Sequence, residues 1–342
     1  MRYLELGKTG LTVSEVGFGG IPIIRLSTAE AVKVLRLAYD RGITLFDTAN
    51  AYLDSEEKMG LAFEGLRSRL VLATKTLKRD REGVEADIDL SLRRLRTDYV
   101  DLFQIHQLSQ ESDYQKVTGP NGALEAVYRA RERGKVRHIG LTSHSIDMAA
   151  KLVGTELFST IQFPFNFIES KPVDDLHPRA RQQQMGILAM KPFAGGVLDN
   201  GELCFKFLRQ FPDVIPLPGF DAPDRVDEIA DIYEKENSIA PEDLAAMERY
   251  RTELGQRFCR RCEYCQPCGH DVKITPAMAY PILARRMSPA KAVGFAAKVM
   301  ESVRNCIECG ECVERCPYDL PIPEMLQKNL ALYEKHAGRR KR

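Results

Sequence analysis

Two groups of residues along this chain could do chemistry. The first is polar: Asp47, Tyr52, Lys75 and His106, each at or just beyond the end of a short apolar run. A lysine and an aspartate at such positions are costly to bury singly and make sense as a pair. A carboxylate beside Lys75 keeps the ammonium charged, and that charge next to the Tyr52 phenol makes it a readier proton donor. The His106 imidazole can hold and orient the same acceptor oxygen. Negative charge building on a carbonyl oxygen is what hydride attack creates, so the four together suit carbonyl reduction. Each residue alone reads as packing or as a structural ion pair; their order at consecutive run ends is what favours catalysis.

The second group is sulfur. Of 9 cysteines only Cys204 precedes residue 259. Cys306-x-x-Cys309-x-x-Cys312-x-x-x-Cys316-Pro317 has the spacing that holds a [4Fe–4S] cluster with three thiolates and sends the fourth to a neighbouring cluster. Upstream, Cys259, Cys262, Cys265 and Cys268 supply the complementary run, with two residues rather than three before the last cysteine and Gly269 in place of proline. Crossed ligation predicts one cluster from Cys259, Cys262, Cys265 and Cys316, and another from Cys268, Cys306, Cys309 and Cys312. Paired C-x-x-C units also build zinc sites, but the overlapping spacing and the Cys-Pro pair favour iron–sulfur, in a redox or a structural role. Cys204 reads as a buried helix residue and His270 as a bystander.

The chain has 342 residues, with 49 Lys+Arg against 48 Asp+Glu for a net charge of +1, and is 44% hydrophobic and 28% charged. Those proportions fit a globular protein with room for one domain of roughly 250 residues and a smaller companion. Balanced charge argues against nucleic acid as a partner, and the basic end Arg339–Arg342 reads as a solvated tail. No apolar run reaches the roughly 20 residues that span a bilayer, and the N-terminus lacks a signal-peptide apolar stretch. The expectation is a cytoplasmic protein without membrane contact, where clustered cysteines predict metal rather than disulfides.

Positioning the polar group falls to the first 240 residues, which alternate short apolar runs with helical patterns. The runs Glu15–Gly19, Ile43–Thr48, Leu70–Lys75, Tyr99–His106, Val136–Thr142, Phe158–Phe163, Gly186–Met190 and Asp213–Leu217 predict buried parallel strands. Ser27 with Glu30 forms a capping box ahead of Ala31, Leu35 and Ala38. Asp54 with Glu57 is expected to cap a second helix whose face is Met59, Phe63 and Leu66. Val84, Ile88, Leu92 and Leu95 predict a third helix, and Leu124, Val127 and Arg131 a fourth ending at Gly134. Weaker patterns follow at 146–153, 174–184, 203–210 and 222–236. Eight strand–helix repeats predict an α/β protein, a (β/α)8 TIM barrel. The alternative is an open doubly wound sheet, but Gly17-Phe18-Gly19-Gly20 lacks the spacing of a dinucleotide-binding turn. Arg2–Leu6 and Leu11–Val13 predict a β-hairpin ahead of the barrel. The expected divisions are a barrel over 1–240, a linking helix over 241–258 and a cysteine-rich domain over 259–342, with two helices across 277–305.

Phe46-Asp47-Thr48-Ala49-x-x-Tyr52 with Ser55-Glu56, Ala73-Thr74-Lys75 and Gln104-Ile105-His106 together resemble the aldo-keto reductase superfamily over about residues 1–236. The resemblance implies a catalytic tetrad of Asp47, Tyr52, Lys75 and His106, with NADPH as hydride donor. It implies that Thr142, Ser143 and Gln162 bind the nicotinamide carboxamide. Met190, followed by Lys191, stands where many members place an aromatic ring against the nicotinamide. Pro218–Arg225 matches the phosphate-binding loop after the last strand, with Gly219-Phe220 in place of a frequent Lys-Ser pair, Arg225 as the retained cation and Ile229 in place of an Asn. A 2′-phosphate therefore has fewer partners than usual, and NAD(H) stays open beside NADP(H). The tail resembles the ferredoxin-type extension of a subgroup of this superfamily, which implies a small, mainly helical ferredoxin-like domain with two [4Fe–4S] clusters.

These readings predict an NADP(H)-dependent reductase of a small carbonyl substrate, or the reverse alcohol dehydrogenase. Its clusters would transfer electrons, dock a redox partner protein or stabilise the fold. No flavin site is recognisable to convert two-electron hydride chemistry into one-electron cluster chemistry. The competing reading is an electron-transfer or redox-sensing protein whose barrel binds nicotinamide nucleotide without efficient turnover. His144, beside the carboxamide residues, reads equally as a substrate contact or as structure, and His138 and His177 read as structural.

Overall fold

The computed structural model describes residues 1–342 except Gln256, Cys262 and 340–342, and except the side chains of Arg286 and Arg339. Two compact units divide it: Met1–Ala194 with Leu198–Ile239, and Gly195–Val197 with the chain from Ala240 onward.

The first unit opens with an antiparallel hairpin, β1 (Tyr3–Glu5) and β2 (Thr12–Ser14), in the register Tyr3↔Ser14. Eight parallel strands follow: β3 (Phe18–Gly19), β4 (Leu45–Asp47), β5 (Val71–Thr76), β6 (Val100–Ile105), β7 (Val136–Thr142), β8 (Thr160–Pro164), β9 (Gly186–Met190) and β10 (Val214–Leu217). Each pairs with the next in sequence order. The ring closes where Gly17 N–H donates to Pro216 O at 2.9 Å and Gly19 N–H to Pro218 O at 2.7 Å, with Gly19 bridging Gly219. A Cβ on Gly19 would lie 2.9 Å from the Leu217 backbone oxygen, and one on Gly219 2.4 Å from Pro22 Cγ in its ring, so these two seam positions favour glycine. Closure rules out the open doubly wound sheet.

Among the described residues the α-helices of this unit are α1 (Thr28–Asp40), α2 (Ser55–Ala62), α3 (Arg81–Leu95), α4 (Glu111–Thr118), α5 (Ala123–Glu132), α6 (Ile146–Val153), α7 (Leu176–Gln182), α8 (Gly201–Leu208) and α9 (Pro223–Glu234). The Ser27–Glu30 capping box of α1 forms in both directions. The expected Asp54 cap does not form: its side chain pairs instead with Lys58 at 2.9 Å. Leu66 lies beyond the end of α2. The predicted run Glu15–Gly19 shortens to Phe18–Gly19, because the Glu15 carboxylate accepts from Arg2 N–H at 2.7 Å and from Arg2 Nε at 2.9 Å, which draws Glu15 to the hairpin. Helix α4 was not expected; only Val117 along it is buried, so it carries no apolar stripe.

Leu6 and Val13 of the hairpin region pack with Leu45, Val71, Ala73, Leu102, Leu188, Ile215 and Leu217. Leu45 and Val71 begin their strands, so the hairpin plugs the N-terminal mouth of the barrel and leaves the C-terminal mouth for chemistry.

The second unit holds α10 (Pro241–Gly255), α11 (Ile274–Met278), α12 (Tyr280–Met287), α13 (Pro289–Ser302), α14 (Glu311–Glu314) and α15 (Ile322–Arg339), and no strand among the described residues. The two helices expected across 277–305 are in fact α12 and α13, with α11 an added turn before them. Pro281 and Pro289 start α12 and α13, since proline is tolerated in a first turn and stops a helix continuing from before it. Its core gathers Ala277, Tyr280, Ala292, Met300, Val303 and Leu326, with Cys265 and Cys316 buried among them. No helix of the described residues is long and apolar enough to cross a membrane.

Candidate active site and thiol-lined cavities

Strand register brings the first polar group together. Asp47 ends β4, Lys75 sits one residue from the end of β5, and His106 follows β6 directly. Lys75 Nζ lies 2.5 Å from Asp47 Oδ2 and donates to Thr48 O at 2.6 Å. Both side chains are buried. Gln104 Nε2 donates to Asp47 Oδ1 at 3.0 Å, and Gln162 Nε2 to Asp47 Oδ2 at 3.4 Å. Burial pushes the Asp47 carboxyl up, and the Lys75 ammonium with the two amides pulls against that rise.

Half-buried Tyr52 stands over this pair, its ring centroid 5.2 Å from Lys75 Nζ. The His106 ring meets it edge-on at 5.8 Å between centroids. Burial, with the charges of Lys75 and Arg79, holds the His106 imidazole far below its ordinary pKa, so it is neutral near pH 7 and can still donate one N–H. Its Nδ1 is buried without a partner.

The loop carrying Tyr52 is fastened from below. Thr48 N–H and Asn50 N–H donate to Ala73 O and Lys75 O at 2.8 and 3.0 Å, and Thr48 Oγ1 bonds Ser55 Oγ at 2.8 Å. Buried Glu56 accepts from Thr74 Oγ1 at 2.6 Å and from Arg94 at 3.4 Å, and Arg94 also reaches Asn50 O at 3.3 Å. Sequence reading did not assign roles to Gln104, Glu56 and Arg94. The two-residue period of β6 offered a signal for Gln104, since it shares a face with His106.

The remaining expected residues of the mouth differ in what they offer. Gln162 keeps a buried, unpartnered Oε1 after its bond to Asp47, an acceptor suited to a carboxamide N–H. The Ser143 hydroxyl is engaged with Ser109 Oγ and Ser145 O, both at 3.2 Å. Thr142 Oγ1 accepts from Gln107 N–H at 2.8 Å and so braces the loop after β6. Met190 ends β9, and Lys191 follows with φ +58° and a buried side chain. Gly219 lies on the barrel seam, and exposed Arg225 in the first turn of α9 donates to Glu228 at 2.8 Å.

In the second unit the cysteines line two cavities. One is bordered by Cys265, Cys268, Cys306, Cys309 and Cys312. The other is bordered by Cys259, Cys265 and Cys316. Cys262 lies outside the described residues. Thiols of all described cysteines are free of disulfides. Cys204 is buried in α8, where burial pushes its thiol up to about 12, an inert state.

The aldo/keto reductase family model matches residues 15–212, more than half of the chain. The chain belongs to that family. A 4Fe-4S dicluster domain model matches residues 258–320. Aldo-keto reductase YhdN of Bacillus subtilis is 29% identical over 217 residues, covering 58% of this chain and 64% of that one. L-galactose dehydrogenase of Arabidopsis thaliana is 31% identical over 213 residues, covering 56% and 66%. The chain thus spans just under two thirds of the length of these relatives. Among solved structures, an aldo-keto reductase from Klebsiella pneumoniae in complex with NADPH superposes with TM-score 0.63 at 24% identity, covering 73% of this chain and 96% of that one. Aldo-keto reductase AKR11C1 from Bacillus halodurans, in its holo form, gives TM-score 0.64 at 21% identity, covering 73% and 96%. The aldo/keto reductase barrel is therefore the fold, and a 4Fe-4S domain follows it.

Proposed function

We propose that the barrel reduces a small aldehyde or ketone to an alcohol, with NADP(H) the nucleotide implied by the family. The observation that carries this reading is the Lys75 ammonium held between Asp47 Oδ2 and Thr48 O, with the Tyr52 ring 5.2 Å away. When bound, a reduced nicotinamide supplies the hydride. Gln162 offers its free carbonyl to the carboxamide, and Ser143 can join by exchanging its contact with Ser109. Tyr52 gives its proton to the carbonyl oxygen as negative charge builds there, and neutral His106 donates a second hydrogen bond to the same oxygen. Asp47, fixed by Gln104 and Gln162, keeps Lys75 in place as the positive charge that stabilises the phenolate left behind. Hydride and proton together complete the alcohol.

Tyr52→Phe tests the acid. Carbonyl-dependent NADPH oxidation should fall by at least about a hundredfold, while nucleotide binding measured by calorimetry stays close to that of the parent chain. Retained turnover would reject Tyr52 as the donor. Tight nucleotide binding by the parent chain with no oxidation of NADPH by any simple aldehyde would favour the electron-transfer reading instead.

We propose also that the two cavities hold two [4Fe–4S] clusters, one ligated by Cys268, Cys306, Cys309 and Cys312, the other by Cys259, Cys262, Cys265 and Cys316. Their sulfur-only donor sets suit iron–sulfur chemistry. Cys309 is exposed while Cys265 and Cys316 are buried, so the first site is the one open to a redox partner protein.

A further inference from the structure

The loop after β10 and the start of α9 form the place where a TIM barrel receives a phosphate group. In this chain that place is poor in free positive charge. Gly219 cannot be exchanged for a longer residue, because any Cβ there meets Pro22 at 2.4 Å. Phe220 is turned into the core, 1% exposed, with its ring 5.1 Å from that of Phe18. Among the described residues, the cations at this loop are already engaged with carboxylates: Arg25 with Asp221 at 2.5 Å, and Arg225 with Glu228 at 2.8 Å. Asp224 and Asp221 also act on Arg225 electrostatically. A 2′-phosphate arriving here would have to displace Glu228 from Arg225 and approach three carboxylates. A ribose with a free 2′-hydroxyl would meet an acceptor instead, the role an acidic residue plays in sites that read the unphosphorylated nucleotide.

Resting on the nucleotide reading of the barrel, we propose that this protein binds NAD(H) and NADP(H) with near-equal affinity and that Glu228 is the residue that sets the balance. Its carboxylate accepts from the ribose hydroxyl and repels the added phosphate, so one side chain contributes attraction for one nucleotide and a penalty for the other.

Isothermal titration calorimetry of the full anaerobic chain with NADH and with NADPH is the test. The two dissociation constants should agree within about tenfold, the equivalent of 1.4 kcal/mol. A larger preference for NADPH overturns the proposal. Glu228→Gln, a conservative change at a half-buried position, should move the ratio toward NADPH by about threefold to tenfold at low salt, with the gain shrinking as salt is raised. An unmoved ratio overturns the role of Glu228. Tight binding of NADPH alone would leave the nucleotide reading standing and defeat only this inference; binding of neither would defeat both.

Discussion

At the residue scale, Asp47 and Lys75 are a buried ion pair to which we assign a task beyond stability. Taking one charge away from such a pair strands the other, which costs about 3–5 kcal/mol. Lys75→Met should therefore lower stability in urea by that order and abolish carbonyl reduction. Adding Asp47→Asn to it should recover much of the stability and none of the activity. A double variant as unstable as the single one would show that the carboxylate was not the stranded group. The four polar residues were legible as a group through their order at, or in the loop just after, the ends of consecutive apolar runs. Gln104 was less so: a glutamine in a strand announces nothing until its amide is seen 3.0 Å from Asp47.

At the scale of elements, the position of Tyr52 depends on how α2 is seated. Gly60 in α2 faces α3 so closely that a Cβ would lie 2.3 Å from Arg94 O and 2.9 Å from the Leu95 carbonyl carbon. Both obstacles are backbone and cannot swing aside. Gly60→Ala should push α2 outward, cost about 1–3 kcal/mol and lower the turnover number more than the affinity for nucleotide; a thermal melt and a kinetic comparison would check it. Unchanged turnover would mean the Tyr52 loop is held by its bonds to β5 alone. The sequence made the strands readable through short apolar runs, and α1 through its capping box. It misled at Asp54, whose carboxylate found Lys58 rather than a backbone N–H, and it was silent on α4, where a single buried valine leaves no periodicity to find.

For the whole molecule, two tests address the two units separately. Two clusters require about eight irons and eight sulfides per chain and a brown colour under anaerobic purification; a colourless, zinc-containing chain would retire the assignment. Because Cys265 and Cys316 sit inside the hydrophobic core of their unit, stripping iron with a chelator should loosen that unit, read as increased proteolysis after residue 240. In the barrel, His177 is buried with its ring edge-on to Phe165 at 4.6 Å, and burial lowers its pKa to about 4. The unfolded chain binds a proton near pH 6.5 that the folded barrel refuses. His177 therefore costs nothing above pH 6.5 and erodes stability as the pH falls toward 4, by up to about 3 kcal/mol. His177→Leu should flatten that dependence in urea melts at pH 7 and pH 4.5.

The crossed ligation proposed for the cysteines has a consequence for biogenesis. Cys265 and Cys268 stand three positions apart; Cys268 borders the cavity of Cys306, Cys309 and Cys312, while Cys265 borders that cavity and also the one lined by Cys259 and Cys316. Each cage is thus built from both ends of a stretch nearly sixty residues long. During translation the proposed cage of Cys268 must wait for Cys312 and the other for Cys316, so loading would be a late event, and a nascent chain arrested anywhere in α13 would emerge with two empty half-cages.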